Sequence, residues 1–159
     1  MNASSQLFNI FIISAFVAFS AKAYPYDPDH LARLKETNSC PKCDLRNVNL
    51  IDANLFIADL TESDLRNARL KNVNLSGANL RGANLARADL SGASLLGANL
   101  TQSNLKDCNF YQAELGGAIL RGANIEGVNF YRADLGDVNL KEIKMHTARC
   151  SPFSCGPSR

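Results

Sequence analysis

Proline is absent from the 105 residues that run from Cys43 to Thr147, so every backbone N–H in that stretch can join a hydrogen-bonded ladder. Histidine is almost as scarce, with His30 and His146 the only two in the chain. No Ser-His-acid set, carboxylate pair, phosphate loop or glycine fingerprint can be assembled around them, which argues against an enzyme and against any cofactor. An excess of one charge is missing too. Cys43 to Thr147 holds eleven basic and twelve acidic residues, a balance that disfavours direct nucleic-acid binding. Met1 to Gln6 contains no Lys or Arg, and no Cys follows the N-terminal apolar run closely, so a lipid-anchored form is disfavoured.

What is present is a period. From Cys43 to Thr147 the chain repeats every five residues without an insertion, and the centre of every unit is large and apolar. The centres run Leu45, Leu50, Leu55 and onward to Leu140, with Phe110, Ile125, Phe130 and Met145 the departures from leucine. Two residues before each centre stands a small residue, Ala in twelve units. Between the two lies a polar residue, usually Asn or Asp, as in Asn79, Asn84 and Asp89.

A spacing of five suits neither ordinary element. On a helix, leucines five apart step by about 140° and form no stripe. On a straight strand, an odd spacing sends successive leucines to opposite faces. A short extended piece followed by a corner satisfies the pattern, with the centre and the small residue both pointing inward. Seven glycines, Gly77, Gly82, Gly92, Gly97, Gly117, Gly122 and Gly127, fall two places after a centre, where a type II turn needs positive φ. One unit cannot bury its own leucine, so the units must stack into a solenoid.

Strings such as ANLRG, ANLAR, ADLSG and ANLTQ closely resemble the pentapeptide repeat family, in one unbroken register over 105 of 159 residues. The resemblance implies an all-β fold: a right-handed parallel β-helix of square cross-section with four units per coil. Twenty-one units then make slightly more than five coils, a body roughly 25 Å long at the spacing of neighbouring strands. Residues twenty apart stack, so the centres form four columns, one of them Leu50, Leu70, Leu90, Phe110 and Phe130.

The ends carry different signals. Leu7 to Phe19 is apolar but short for a bilayer span, and Ala21-Lys22-Ala23 places small residues where a signal peptidase reads them. Residues 1–23 are therefore expected to be a signal peptide cleaved after Ala23, with export to the periplasm or beyond; an uncleaved anchor is the competing reading. Residues 24–42 are expected to form a cap containing a short helix, with Asp27 as N-cap, Pro28 in the first helical position, and Leu31 and Leu34 on the face that meets the first leucine layer. Residues 43–147 form the solenoid and 148–159 a C-terminal cap, with Phe153 placed to cover Leu135, Leu140 and Met145. Two local disulfides are expected, Cys40 with Cys43 and Cys150 with Cys155, since a bridge between ends would have to span the rod.

Each chemical candidate has a plain structural alternative. Cys40-Pro41-Lys42-Cys43 could be a redox dithiol but lacks a βαβ setting, so a capping bridge is preferred. Zinc would need four converging ligands, and the cysteine pairs sit at opposite ends. Cys108 falls in an inward small position and should be an inert thiol. What remains is surface. Arg81 and Arg121 lie with Thr61, Thr101 and Lys141 in one column; Tyr111 stacks below Tyr131 with Arg132 and Gln112 beside them; Phe56, Ile57 and Leu96 are exposed on a third. The expectation is an exported, non-catalytic module, monomer or dimer, that binds a protein partner and neither a small-molecule substrate nor, once cleaved, a membrane. The alternative classes are a DNA mimic that binds gyrase, as some family members do, and a small thiol-disulfide protein. Mimicry of DNA needs a long, strongly negative rod, and this one is short and near neutral.

Overall fold

A computed structural model describes residues 25–139 and 148–150, with only the backbone described at Cys150. The chain climbs a four-sided coil in which each side is one five-residue unit. Parallel bridges link residues twenty apart on all four sides, for instance Asp64 to Asn84, Arg69 to Asp89, Asn74 to Ser94 and Asn79 to Asn99. We label the sides by their outward residue in the first coil: A at Ser39, B at Asp44, C at Asn49 and D at Asn54.

Extended strands are nearly absent from this β-fold. Each side is flat for only three residues before the next corner, so one residue per side joins a bridge and no ladder lengthens. The exception is a pair of two-residue strands, β1 (Asn129–Phe130) and β2 (Arg149–Cys150), which lie parallel. In the interior coils the hydrogen bonds are complete nonetheless. On side D, Leu75 N–H donates to Ser94 O at 2.7 Å, Ser94 N–H to Val73 O at 3.0 Å, and the corner amide of Gly77 to Leu96 O at 2.8 Å.

Every corner from Lys42 to Asp137 has positive φ, from 54° at Ile57 to 69° at Gly127. The preceding residue does not, and the next amide closes the turn, as when Ala78 N–H donates to Leu75 O at 3.0 Å, so these are type II turns. The glycines pointed to the corners, but most corners adopt the same backbone without glycine. Ile57 is the extreme case, because a β-branched residue resists the left-handed region.

The polar residue before each centre has a purpose that the pattern alone did not disclose. Its side-chain oxygen accepts the amide two residues on, as Asn74 does from Ser76 at 3.1 Å and Asn104 from Lys106 at 3.2 Å. The Asn side chains also bond one another between coils: Asn104 donates to Asn84 at 3.1 Å and Asn129 to Asn109 at 2.9 Å. Only a short side chain with a carbonyl two bonds from Cα can hold the turn in this way.

Inside, each coil adds a layer of four large and four small side chains. Ala78, Leu80, Ala83, Leu85, Ala88, Leu90, Ala93 and Leu95 are all fully buried. The column of side C ends in Phe110 and Phe130, stacked with centroids 5.5 Å apart. Where the small inward residue is Ser63 or Ser103, its hydroxyl donates to the carbonyl of the preceding centre, at 2.7 and 2.8 Å, so no buried side-chain polar atom among the described residues lacks a partner.

The cap helix α1 spans Pro28–Thr37. Asp27 caps it by accepting from Asp29 N–H at 2.9 Å, Asn38 ends it in the left-handed conformation, Leu34 is buried against the end layer and Leu31 packs beside it. The five-residue register takes in one further unit at each end. Ser39 bridges Asp59 with Cys40 in the buried centre position, and Arg149 and Cys150 continue the column of Asn129 and Phe130. The segment 1–23 and the positions Leu140, Lys141, Met145, Phe153 and Cys155 lie outside the described residues, and with them the proposed pairing of Cys150 with Cys155.

Candidate functional site

The surface is built of four stacked corners, and each has its own chemistry. Between sides D and A, the residues after the centres are Phe56 and Ile57, Ser76 and Gly77, Leu96 and Gly97, then Gly116 and Gly117. Phe56, Ile57 and Leu96 are exposed, at 51%, 64% and 45%. Phe56 and Ile57 lie two coil steps from Leu96, with Ser76 and Gly77 between them. A methyl of Ile57 lies 3.1 Å from where a side chain would begin on Gly77, and a methyl of Leu96 lies 3.1 Å from the same point on Gly116. Ile57 and Leu96 therefore each fold over a bare backbone in the next coil, and the corner carries a low apolar ridge interrupted at Ser76. Ile119, 51% exposed where other units of side A carry Asp59, Asn79 or Asn99, extends it. Sequence reading overlooked Ile119; the signal was an apolar residue in a position that the repeat reserves for Asn or Asp.

Tyr111 and Tyr131 do stack at the corner between C and D, with rings 5° from parallel and centroids 6.2 Å apart. Arg132 lies over the Tyr131 ring at 5.7 Å and donates to the Tyr111 hydroxyl at 3.4 Å. The guanidinium thus ties the two coils together while Tyr131 stays exposed.

Arg81 and Arg121 share the corner between A and B but do not converge. Two coil steps separate them, roughly 10 Å. Thr101, between them, spends its hydroxyl on Asn99 at 2.6 Å. Near the corner between B and C three ion pairs form instead. Arg46 makes a two-point contact with Asp44 at 2.8 and 2.7 Å, Arg66 does the same with Asp64 at 2.8 and 2.6 Å, and Lys106 meets Glu126 at 3.0 Å. The Arg46 guanidinium holds the Asp44 carboxyl below its ordinary value of 3.8. Partial burial pushes Asp64 up, but its bonds to Arg66 outweigh this and the net direction is also down.

The reactive candidates are closed off. Cys40 and Cys43 are bridged, with Cα atoms 5.5 Å apart, and both are fully buried, so an incoming thiolate has no path to either sulfur. Cys108 is buried beneath side C; burial pushes its thiol up to about 12, and its Sγ donates to Leu85 O at 2.8 Å. His30 Nδ1 accepts the Asp44 amide at 3.0 Å and lies 3.5 Å from the Asp27 carboxylate, so it serves the cap. Among the described residues no group of His, Cys, Asp or Glu is arranged to hold a metal, and no helix is long and apolar enough to cross a membrane.

With this geometry in place, comparison with known proteins is specific. The family model for pentapeptide repeats matches residues 42–72, 68–107 and 108–146, in 8 copies. The chain is similar to the crystal structure of Rfr23, a pentapeptide repeat protein from the cyanobacterium Cyanothece 51142, at 29% identity and TM-score 0.69 over 77% of this chain and 94% of that one. It is also similar to a pentapeptide repeat protein from the thylakoid lumen of Arabidopsis thaliana, at 34% identity and TM-score 0.61 over 66% of this chain and 70% of that one. The likeness to these two structures implies that the four-sided coil is a right-handed β-helix. Among curated proteins no match was found.

Proposed function

The chain belongs to the pentapeptide repeat family, and from that premise we propose that it is an exported, non-catalytic solenoid whose rigid surface binds a protein partner. The observation that carries this reading is the interrupted apolar ridge of Phe56, Ile57, Leu96 and Ile119, four of the five exposed large hydrophobic residues among those described, which lie along one corner and its neighbouring side. Apolar side chains aligned on a stiff frame are contact material, because little conformational entropy is lost when a partner covers them. The Tyr131 ring with Arg132 offers a second contact of the type enriched in interfaces. Export is supported by the apolar leader with Ala21 and Ala23, and by the lumenal origin of the Arabidopsis relative. The buried bridge between Cys40 and Cys43 supports a structural staple over a redox centre.

The test uses the chain from Tyr24 onward as bait against the exported fraction of the cell that makes it. A protein captured by the native chain and lost with the double variant Phe56→Ser, Leu96→Ser is the expected result. Capture of the same set by both would move the contact surface off this corner, and enrichment of gyrase subunits would favour a DNA mimic. Export is checked separately, by whether the recovered protein begins at Tyr24.

A further inference from the structure

The apolar ridge lies in an acidic setting. On sides A and D and at the corner between them, the charged residues among those described are Asp59, Glu114, Asp134 and Asp137. Every Lys and Arg of the described coils stands on sides B and C or at the other three corners. None of the four carboxylates has an ion-pair partner among the described residues. Three of them accept neutral hydrogen bonds instead: Asp59 from the Thr61 hydroxyl at 2.6 Å, Glu114 from the Ser94 hydroxyl at 3.1 Å and Asp134 from Gly136 N–H at 3.0 Å. The chain as a whole carries a net charge of +2, so this face departs from its balance. Unpaired charges of one sign beside an apolar strip select a partner of the other sign.

The backbone under the ridge decides the partner's form. Gly77 N–H already donates to Leu96 O at 2.8 Å and Gly97 N–H to Gly116 O at 2.9 Å. A strand laid there finds no edge to pair with, whereas a helix brings its own backbone bonds. The spacing agrees. Phe56 and Ile57 stand two coil steps from Leu96, roughly 10 Å, and two helical turns rise about 11 Å. Low ground lies between them at Ser76 and Gly77, and beyond Leu96 at Gly116 and Gly117. We propose that the ridge receives an amphipathic helix of a partner protein, laid along the rod axis. Its apolar stripe meets Phe56, Leu96 and Ile119, and Lys or Arg at its borders face Asp59, Glu114 and Asp134. This rests on the reading that the chain binds a protein, and it supplies that partner's chemistry. A second copy fits worse, because two such corners turned together bring only carboxylates, amides and hydroxyls to the flanks. An anionic bilayer is repelled by the same carboxylates.

Fluorescence anisotropy with a labelled synthetic helix tests the assignment. The probe is a peptide of about fourteen residues, roughly 20 Å long, held helical by a side-chain staple, with Leu on one face and Lys at its borders. A second peptide carries Glu in place of Lys. The full chain should bind the Lys peptide roughly tenfold more tightly than the Glu peptide. The triple variant Asp59→Asn, Glu114→Gln, Asp134→Asn should weaken the Lys peptide roughly tenfold, through the loss of three exposed ion pairs. Each replacement keeps the oxygen that accepts the native hydrogen bond, so the denaturation midpoint should hold. Phe56→Ser with Leu96→Ser should abolish the binding of either peptide. Equal binding of the two peptides, or an unchanged affinity in the triple variant, would overturn the proposal. So would self-association of the full chain that is lost with Phe56→Ser, Leu96→Ser, which would give the ridge to a second copy. Failure of both peptides, beside continued capture of a cellular protein through Phe56 and Leu96, would sink the helix and leave the protein-binding reading standing.

Discussion

In the coil from Ala78 to Gly97, each ladder amide and carbonyl has a partner in the coil before or the coil after, whereas the coil from Asn38 to Ile57 has a neighbour on one side only. The interior coil is stabilised by repetition alone: a leucine layer, an Asx-type bond at the turn and a type II corner, copied at each step. The first coil needs residues that occur once. Asp27, His30, Arg33, Thr37 and Asn38 each satisfy a group that the repeat leaves open, and the bridge from Cys40 to Cys43 fixes the chain where it enters the ladder. A solenoid's stability is additive along its axis, so these two kinds of support should fail separately.

The largest expected effect lies in the middle. Leu90→Ala removes a fully buried side chain from a layer with coils on both sides, at a cost of about 2–5 kcal/mol, read as a lower denaturation midpoint of the whole rod. Next comes the end. Replacing Cys40 and Cys43 with Ser should cost roughly 2 kcal/mol in the chain-entropy treatment of a short loop. That loss should speed amide exchange in α1 and at Cys40, whose N–H donates to Asp59 O at 2.7 Å, while the coil from Ala78 to Gly97 keeps its protection. If exchange quickened equally in both places, the end and the middle would be one cooperative unit and the contrast would collapse.

Ile57→Gly works in the opposite direction. The corner has a φ of 54°, which a β-branched residue resists, so glycine should stabilise the first turns by about 1 kcal/mol, less whatever contact Ile57 makes over Gly77. An unchanged or lower midpoint would mean that this contact outweighs the backbone strain, and that the ridge holds the coil together as well as facing a partner.

The interior was legible because burial acts on one residue at a time: a leucine every fifth position has few ways to avoid water, and Leu80, Leu85 and Leu90 are buried as the period required. The cap helix was equally plain from Asp27 and Pro28, whose chemistry is local. Long-range pairings were less so. The Asn side chains at residues 84, 104 and 124 looked like ordinary polar surface, and their bonds across twenty residues emerge only when the coils are stacked. Glycine marked the corners only in part, since Asn67, Arg87 and Gln112 take the same positive φ under compulsion from their neighbours. The ridge was half visible: Phe56, Ile57 and Leu96 were recognisable as exposed, but the seating of Ile57 and Leu96 over glycines of the next coil was not.

The smallest effect separates the two regions by pH. Down side B the outward residues are Asp44 and Asp64 in the first coils and Asn84, Asn104 and Asn124 beyond, so among the described residues only the N-terminal end carries ionisable groups in that row. Both carboxyls titrate below their ordinary 3.8 in the folded chain, held there by Arg46 and Arg66. A depressed folded value stabilises at pH above the unfolded one and is lost as pH falls through the folded one, so the window opens just under 3.8 and extends downward. Both groups are partly exposed and screened, which keeps the effect small. Acidification from pH 7 to 3 should therefore loosen the cap and first coil while the Asn-lined coils hold, seen as faster exchange at Leu45 than at Leu85. The variant Asp44→Asn, Asp64→Asn should flatten that difference; an unchanged acid response in it would place the pH sensitivity of the end elsewhere.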